Sequence, residues 1–345
     1  MRKLNNKDLV IINNEKIFKE KENDIFYCNN LDLKILPEEL NNYYKVQYIV
    51  RNSRKKGNQK INLQNIKISP NIFKFIYFVL KTFKNKNASY LLVCITPYTF
   101  LSFIFLFLFR KKVFVYLFSN GHEEYKHILG RWFVWIYHIM YITVTSSSKV
   151  IVCHERLFDK KKSELVYISR LDDKWLKDHK NAPLDKIRLL YVGRMSPEKG
   201  IFDFLKMFDQ IKIDAHFSIV GNSENKKISN KNIKLFGYVA DPQSLIDIYD
   251  KHNIMILPSF TEATPYVVDE SLSRKRPVII FEDIDYIVRD KVGIFITKRD
   301  ISSFLKTIKY IMANYLEIQK SMEKNNLPTK DDMIKQISDI IKFQN

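Results

Sequence analysis

Cysteine is scarce: the 345 residues hold Cys28, Cys94 and Cys153, odd in number and far apart. With no CxxC pair and no Cys/His set at metal-ligand spacing, a disulfide framework and a structural zinc site are both excluded. Glycine-rich phosphate loops are missing as well. Neither GxxxxGK(S/T) nor GxGxxG occurs, so this is no Walker A protein and carries no dinucleotide fingerprint. Repeats, heptads and low-complexity tracts are absent too. The amino terminus, MRKLNNKDLVIINNEKIF, begins basic but has only a brief apolar run and no small-residue cleavage site, so a cytoplasmic chain without a signal peptide is expected. One apolar run, Tyr90 to Phe109 before Arg110-Lys111-Lys112, has the length and flank of a membrane span. Thr96-Pro97 falls where a strand-to-helix turn would sit and, with a strand at Val113–Phe118, favours a soluble βαβ unit.

What is present is a folding chain of two-domain length, 46% apolar. Its net charge of +19 is uneven: residues 1–160 carry 26 Lys and Arg against 12 Asp and Glu, residues 161–345 carry 31 against 26. A basic half beside a nearly neutral one suggests an anionic partner surface, and a membrane is the expected one. No RNA-binding or zinc pattern accompanies the charge, so no nucleic acid is expected.

Strand and helix patterns alternate throughout, which implies a parallel sheet in each half. Strands are expected at Asp24–Cys28, Val46–Val50, Tyr90–Ile95 and Ser146–Val152, and an apolar helix at Ile72–Phe83. Ser119–Glu124, containing His122, reads as a polar loop at the carboxyl end of a strand, where open α/β sheets take ligands. Trp132–Ile142 reads as an aromatic helix, hydrophobic nearly all round, which is either buried or lies against lipid; burial is the expectation. Domains are expected at 1–169 and 187–327, with 170–186 as linker and 328–345 as a final helix.

The second half carries the chemistry. Strand Ile187–Val192 leads into Gly193-Arg194-Met195-Ser196-Pro197-Glu198-Lys199-Gly200, where two cations could clamp a diphosphate. Strand Ile254–Leu257 ends at Pro258-Ser259 and precedes a loop with Glu262. Thr264 and Pro265 then read as N-cap and first residue of a helix containing Glu270. Amides at its start, from Thr264 to Val267, would face an anion, with one carboxylate before the helix and one inside it.

Taken together, GRMSPEKG, IVG at Ile219–Gly221, LFGYV at Leu235–Val239, LPS at Leu257–Ser259 and the Glu-x7-Glu pair resemble the retaining family 4 glycosyltransferases over about residues 187–313. That resemblance implies an α/β fold of the GT-B kind: two Rossmann-like domains facing a cleft, with the last helix returning to the first. It implies that Arg194 and Lys199, on the loop opened by Gly193, bind the donor diphosphate, and that the loop with Tyr238 meets the base. Glu262 would meet the transferred sugar and Glu270 the ribose. Thr264, Pro265, Tyr266 and Val267 would cradle the distal phosphate, and His122 would stand near the reaction centre. The chain departs from the pattern at Ala263, where the family has Gly, at Asn222, where a second Gly is common, and in lacking a Gly-rich loop after its first strand. The implied activity is transfer of a sugar, with retention, from a UDP- or GDP-sugar to a glycan or lipid-linked acceptor. It needs no cofactor or metal. The basic first domain, and not the resemblance, makes the inner face of the membrane its expected place. Another GT-B enzyme, such as an epimerase or phosphorylase, is the alternative.

Overall fold

Strands that lie between two layers of helices need near-continuous apolar runs, and the chain supplies two series of them. The computed structural model describes residues 7–20, 24–158, 162–222, 230–262 and 264–342. They divide into two units, Met1–Tyr167 with Asp331–Asn345, and Ile168–Lys330.

The first unit holds β1 (Asp8–Lys19), β2 (Phe26–Cys28), β3 (Lys45–Asn52), β4 (Gln59–Ile61), β5 (Ile66–Ser69), β6 (Ser89–Val93), β7 (Lys112–Leu117), β8 (Lys149–Val152) and β9 (Ser163–Leu165). The parallel order is β5-β3-β1-β6-β7-β8-β9, and β2 with β4 adds an antiparallel ribbon to the far end of β1. The middle strand, β1, is one that sequence reading does not name. Leu9 to Ile12 are at most 2% exposed, yet four apolar residues at a basic terminus are too short a run to mark a sheet centre. The helices are α1 (Leu31–Leu40), α2 (Ile72–Lys81), α3 (Pro97–Leu108), α4 (Gly121–Leu129) and α5 (Val134–Ser146).

The apolar run from Tyr90 is divided as its Thr-Pro step implies. Thr96 caps α3 in a reciprocal box with Thr99, its hydroxyl accepting from the Thr99 amide at 3.3 Å and its amide donating to Thr99 Oγ1 at 2.8 Å. Among the described residues no helix is long and apolar enough to cross a membrane.

Two expectations fail in this unit. The expected loop Ser119–Glu124 ends at Asn120, and Gly121–Glu124 are the start of α4, because the Asn120 side chain caps it by accepting from the Glu123 amide. The aromatic stretch Trp132–Ile142 is not buried all round. Tyr137, Met140 and Val144 enter the core, while Trp132, Trp135, Ile139 and Ile142 are between 50% and 86% exposed. A sheet covers only one stripe of a helix, so composition alone could not decide where the rest faces.

The second unit contains β10 (Ile187–Val192), β11 (Ala215–Val220), β12 (Ile233–Gly237), β13 (Ile254–Leu257), β14 (Val278–Phe281) and β15 (Ile294–Thr297). They form one parallel sheet in the order β12-β11-β10-β13-β14-β15. Its helices are α6 (Asp173–Leu176), α7 (Ile201–Asp209), α8 (Pro242–Asp250), α9 (Tyr266–Ser273), α10 (Ile301–Ala313) and α11 (Tyr315–Ser321).

Residues 170–186 are not a free linker but part of this unit. Leu171 and Trp175 join its core. The buried Arg274 guanidinium donates to the carbonyls of Trp175 (3.0 Å), Lys177 (2.7 Å) and Asp178 (2.9 Å), and to both Asp250 oxygens at 2.9 Å. Buried Arg276 adds a bond to Lys180 O at 2.9 Å. These arginines satisfy backbone carbonyls along residues 175–180. The final helix, α12 (Lys330–Lys342), belongs mainly to the first unit. There Tyr44 donates its hydroxyl to Ser338 O at 2.7 Å.

Candidate functional site

In the second sheet β10 and β13 are neighbours, while the chain between them runs out to β12 and back. Their carboxyl ends therefore flank a topological switch point, where open parallel sheets bind ligands. Two loops leave from it: Gly193–Gly200 after β10, and the segment from Pro258 after β13, in which Ala263 lies outside the described residues. Glycine lets them close together. Gly200 sits at φ 62, and a Cβ there would lie 2.0 Å from Pro258 O. At Gly221 a Cβ would lie 1.9 Å from Gly193 O, so the exit of β11 is drawn against the same loop.

At this junction Lys199 Nζ donates to Glu262 Oε1 at 2.6 Å, and Ser259 Oγ donates to the same oxygen at 2.6 Å. The Glu262 side chain is 7% exposed and that of Lys199 21%. A pair so secluded is a built feature and not a solvated surface contact. The backbone under it is clasped from later in the chain. Tyr286, 24 residues on, donates its hydroxyl to Glu262 O at 2.6 Å and accepts from Glu262 N at 3.0 Å. Arg299 Nη2 donates to Pro258 O at 2.8 Å and Ser259 O at 2.9 Å, its Nε donates to Asp283 at 2.7 Å, and its guanidinium lies 4.1 Å from the Phe260 ring centre. Neither Tyr286 nor Arg299 stands in a motif, so sequence reasoning misses both.

The other expected residues are placed less uniformly. The Arg194 side chain is 77% exposed and pairs with Glu198 at 3.4 Å. A bond from Ser196, reinforced by Arg194 and Lys199, holds the Glu198 carboxyl below the usual carboxylate range. Of the two cations, then, only Lys199 is brought against an acid of the Glu-x7-Glu pair. Glu270 is buried in α9 and accepts from Tyr249 OH at 3.0 Å. Burial, and then the Glu270 charge, push the Tyr249 phenol far above its ordinary range.

The helix start is shifted by one residue. Pro265, not Thr264, is the N-cap, α9 begins at Tyr266, and no side chain caps it. Proline at the cap leaves no hydroxyl there, and Thr264 sits one step too early. Its Oγ1 is buried and, among the described residues, has no hydrogen-bond partner. A buried hydroxyl left this way needs a reason. The Arg170 guanidinium lies 4.0 Å from the Tyr266 ring centre, and Val267 O accepts from Tyr249 OH at 3.3 Å. Gly193 N is bonded to Val220 O at 2.9 Å, and Tyr238, after Gly237 at φ 71, is 51% exposed.

His122 lies in the first unit. Its Nε2 is 3.2 Å from His138 Nδ1, and its ring packs edge-on to Tyr137 and Tyr141 at 4.7 and 5.0 Å. Burial, and then His138, push its pKa below the ordinary histidine value.

Residues 186–314 match the family described as Glycosyl transferases group 1. A Bacillus subtilis (strain 168) protein provisionally named as a teichuronic acid biosynthesis glycosyltransferase, TuaC, is 33% identical over 98 residues, 28% of this chain and 25% of that one. An uncharacterised 41.2 kDa protein in the cps region of Klebsiella pneumoniae is 24% identical over 222 residues, 59% of this chain and 56% of its own. The chain thus spans from a quarter to just over half the length of these curated relatives. Among solved structures, the sucrose-phosphate synthase of Thermosynechococcus elongatus aligns with TM-score 0.68 at 14% identity, covering 98% of both chains. HepE of Anabaena, solved with UDP-glucose, aligns with TM-score 0.68 at 11% identity, covering 97% of this chain and 99% of that one. These likenesses establish a chain of the GT-B fold whose second unit resembles the Glycosyl transferases group 1 family.

Proposed function

We propose that this chain is a retaining family 4 glycosyltransferase. It moves a sugar from a UDP- or GDP-sugar to a glycan or lipid-linked acceptor in cell-surface polysaccharide or glycolipid biosynthesis. The observation that carries this reading is the Lys199–Glu262 pair at the switch point, 2.6 Å apart and largely shielded from water. The buried Thr264 hydroxyl, without a partner among the described residues and beside a helix start that no side chain caps, supports an anionic ligand at the same place. So do a family match over this unit, a neighbour solved with UDP-glucose, and a relative named for teichuronic acid synthesis.

In this reading Lys199, the amides at the start of α9 and the exposed Arg194 take the charge of the leaving diphosphate, while Glu262 holds sugar hydroxyls. The bond from the anomeric carbon to the diphosphate oxygen breaks. The acceptor oxygen bonds on the same face, and its proton passes to the departing phosphate. Glu270 meets the ribose and Tyr238 the base. Thr264, Tyr266 and Val267 line the phosphate.

The test is a panel of UDP- and GDP-sugars, read by the rise in melting temperature of this unit and by release of nucleotide with an acceptor extract. The anomeric configuration of the product is then assigned by NMR. One donor raising the melting temperature and giving a retained linkage is expected. No stabilisation by any nucleotide or nucleotide-sugar overturns the reading, and an inverted product overturns its stereochemistry.

A further inference from the structure

We propose that the outward face of α5, with the neighbouring end of α3, docks on an anionic lipid bilayer, Trp132 and Trp135 entering its interfacial layer. The proposal does not depend on the transferase reading.

The geometry of α5 motivates it. Trp135, Ile136, Ile139 and Ile142 recur at helical spacing on the side opposite Tyr137, Met140 and Val144, and Trp132, on the single turn Arg131–Phe133 just before α5, continues the exposed apolar stretch. Trp132 is 86% exposed and Trp135 60%. The patch extends beyond this helix. Phe75, Phe103 and Tyr137, from α2, α3 and α5, share one core cluster, so the three helices form one layer on the sheet. On the outer side of that layer Phe107 and Leu108, ending α3, are 55% and 66% exposed. Thirteen of the 21 large hydrophobic side chains exposed among the described residues lie between Phe73 and Ile142. Isolated exposed hydrophobics are ordinary, but a concentrated sheet of them marks an interaction surface.

Charge selects the occupant. From Leu40 to His154 the chain has 17 Lys and Arg and only two acids, Glu123 and Glu124. Arg110 and Arg131, both exposed, stand immediately beside the apolar ends of α3 and α5. A stripe of Trp, Phe and Ile collared by cations fits a surface that is anionic outside and apolar a few ångströms in. A second copy fits poorly, since a two-fold interface would press one cationic collar against the other. Because no described helix can span a bilayer, the attachment is to its surface.

The experiment uses the full chain with vesicles of phosphatidylcholine alone or containing phosphatidylglycerol. The protein has three tryptophans, and Trp175 is only 4% exposed. Changes in emission therefore report on Trp132 and Trp135. Expected are co-sedimentation with the anionic vesicles, weakened by salt, a blue shift, and quenching by brominated acyl chains. Trp132→Ser with Trp135→Ser keeps the fold, since both side chains are largely exposed, and lowers the partition constant about a hundredfold. Unchanged melting and circular dichroism serve as the control. The proposal is overturned by absence of sedimentation, by unimpaired binding of the double variant, or by equal binding to neutral vesicles. A stable dimer that shields these tryptophans from aqueous iodide without lipid also overturns it.

Discussion

Glu262→Gln separates a catalytic role of the Lys199–Glu262 pair from a merely structural one. The amide keeps the shape of the side chain and an oxygen for the Ser259 hydroxyl, which now reaches Glu262 at 2.6 Å. It removes only the charge that faces Lys199. A hydrogen bond to a charged group contributes about 1.5–3 kcal/mol and a neutral one about 0.5–1.5, so the variant should lose about 1–1.5 kcal/mol of stability. Lys199→Met is the contrasting change, because it strands a carboxylate that is 7% exposed with Ser259 as its remaining side-chain donor. Removing one partner of a buried pair costs about 3–5 kcal/mol, and the partial exposure of Lys199 reduces this to about 2–3. Urea unfolding followed by Trp175 fluorescence reads both, since that side chain is in the core of the second unit. The double variant should cost less than the sum of the two. Donor turnover gives the decisive contrast. If Glu262 holds the reacting sugar, Glu262→Gln lowers turnover about 10²–10³-fold, far beyond its small effect on stability. Turnover within about twofold of the parent, in a variant shown to be folded, would refute the assignment and leave the pair as a strut between two loops.

Two further outcomes follow from buried polar groups. Arg274→Met removes five donated bonds and leaves the 2%-exposed Asp250 with Arg276 at 3.7 Å as its ion-pair partner. A loss of about 3–5 kcal/mol is expected from the urea midpoint, and a loss below about 1 would show that the segment 175–180 is held by other means. His252 is 7% exposed and its Nδ1 donates to Ile248 O at 2.6 Å, so burial pushes its pKa below the ordinary 6.5. The unfolded chain then binds the proton first, and stability falls as the pH drops below about 6.5, levelling off under the folded-state pKa. His179 is shifted in the same direction by burial. His252→Asn should therefore reduce, not abolish, the slope of urea midpoint against pH between about 5 and 7; identical slopes would refute the assignment.

Much of the second unit is legible from local signals. Strands Ile187–Val192 and Ile254–Leu257 are read to the residue, because apolar runs of four to six residues sit between clear breaks. The first unit is less transparent. Its middle strand hides in an unremarkable amino terminus, and Asn120 turns an expected loop into a helix cap. At the candidate site, Lys199, Glu262 and Glu270 are readable as residue types at fixed spacing. Their supports, Tyr286, Arg299 and Tyr249, are not, since each acts across tens of residues through one side chain.

What the sequence determined by itself is the alternation of strands and helices, the two-part plan, the loop carrying Lys199 and the carboxylate spacing. All of these follow from period, turn chemistry and short-range order along the chain. Tertiary structure alone decided that Lys199 and not Arg194 faces Glu262, that Arg274 and Arg276 are buried anchors for 175–180, and that α5 and the turn before it leave Trp135 and Trp132 to solvent. Those outcomes depend on which surfaces meet. A guanidinium or an indole has the same local propensity whether a neighbouring backbone covers it or water does.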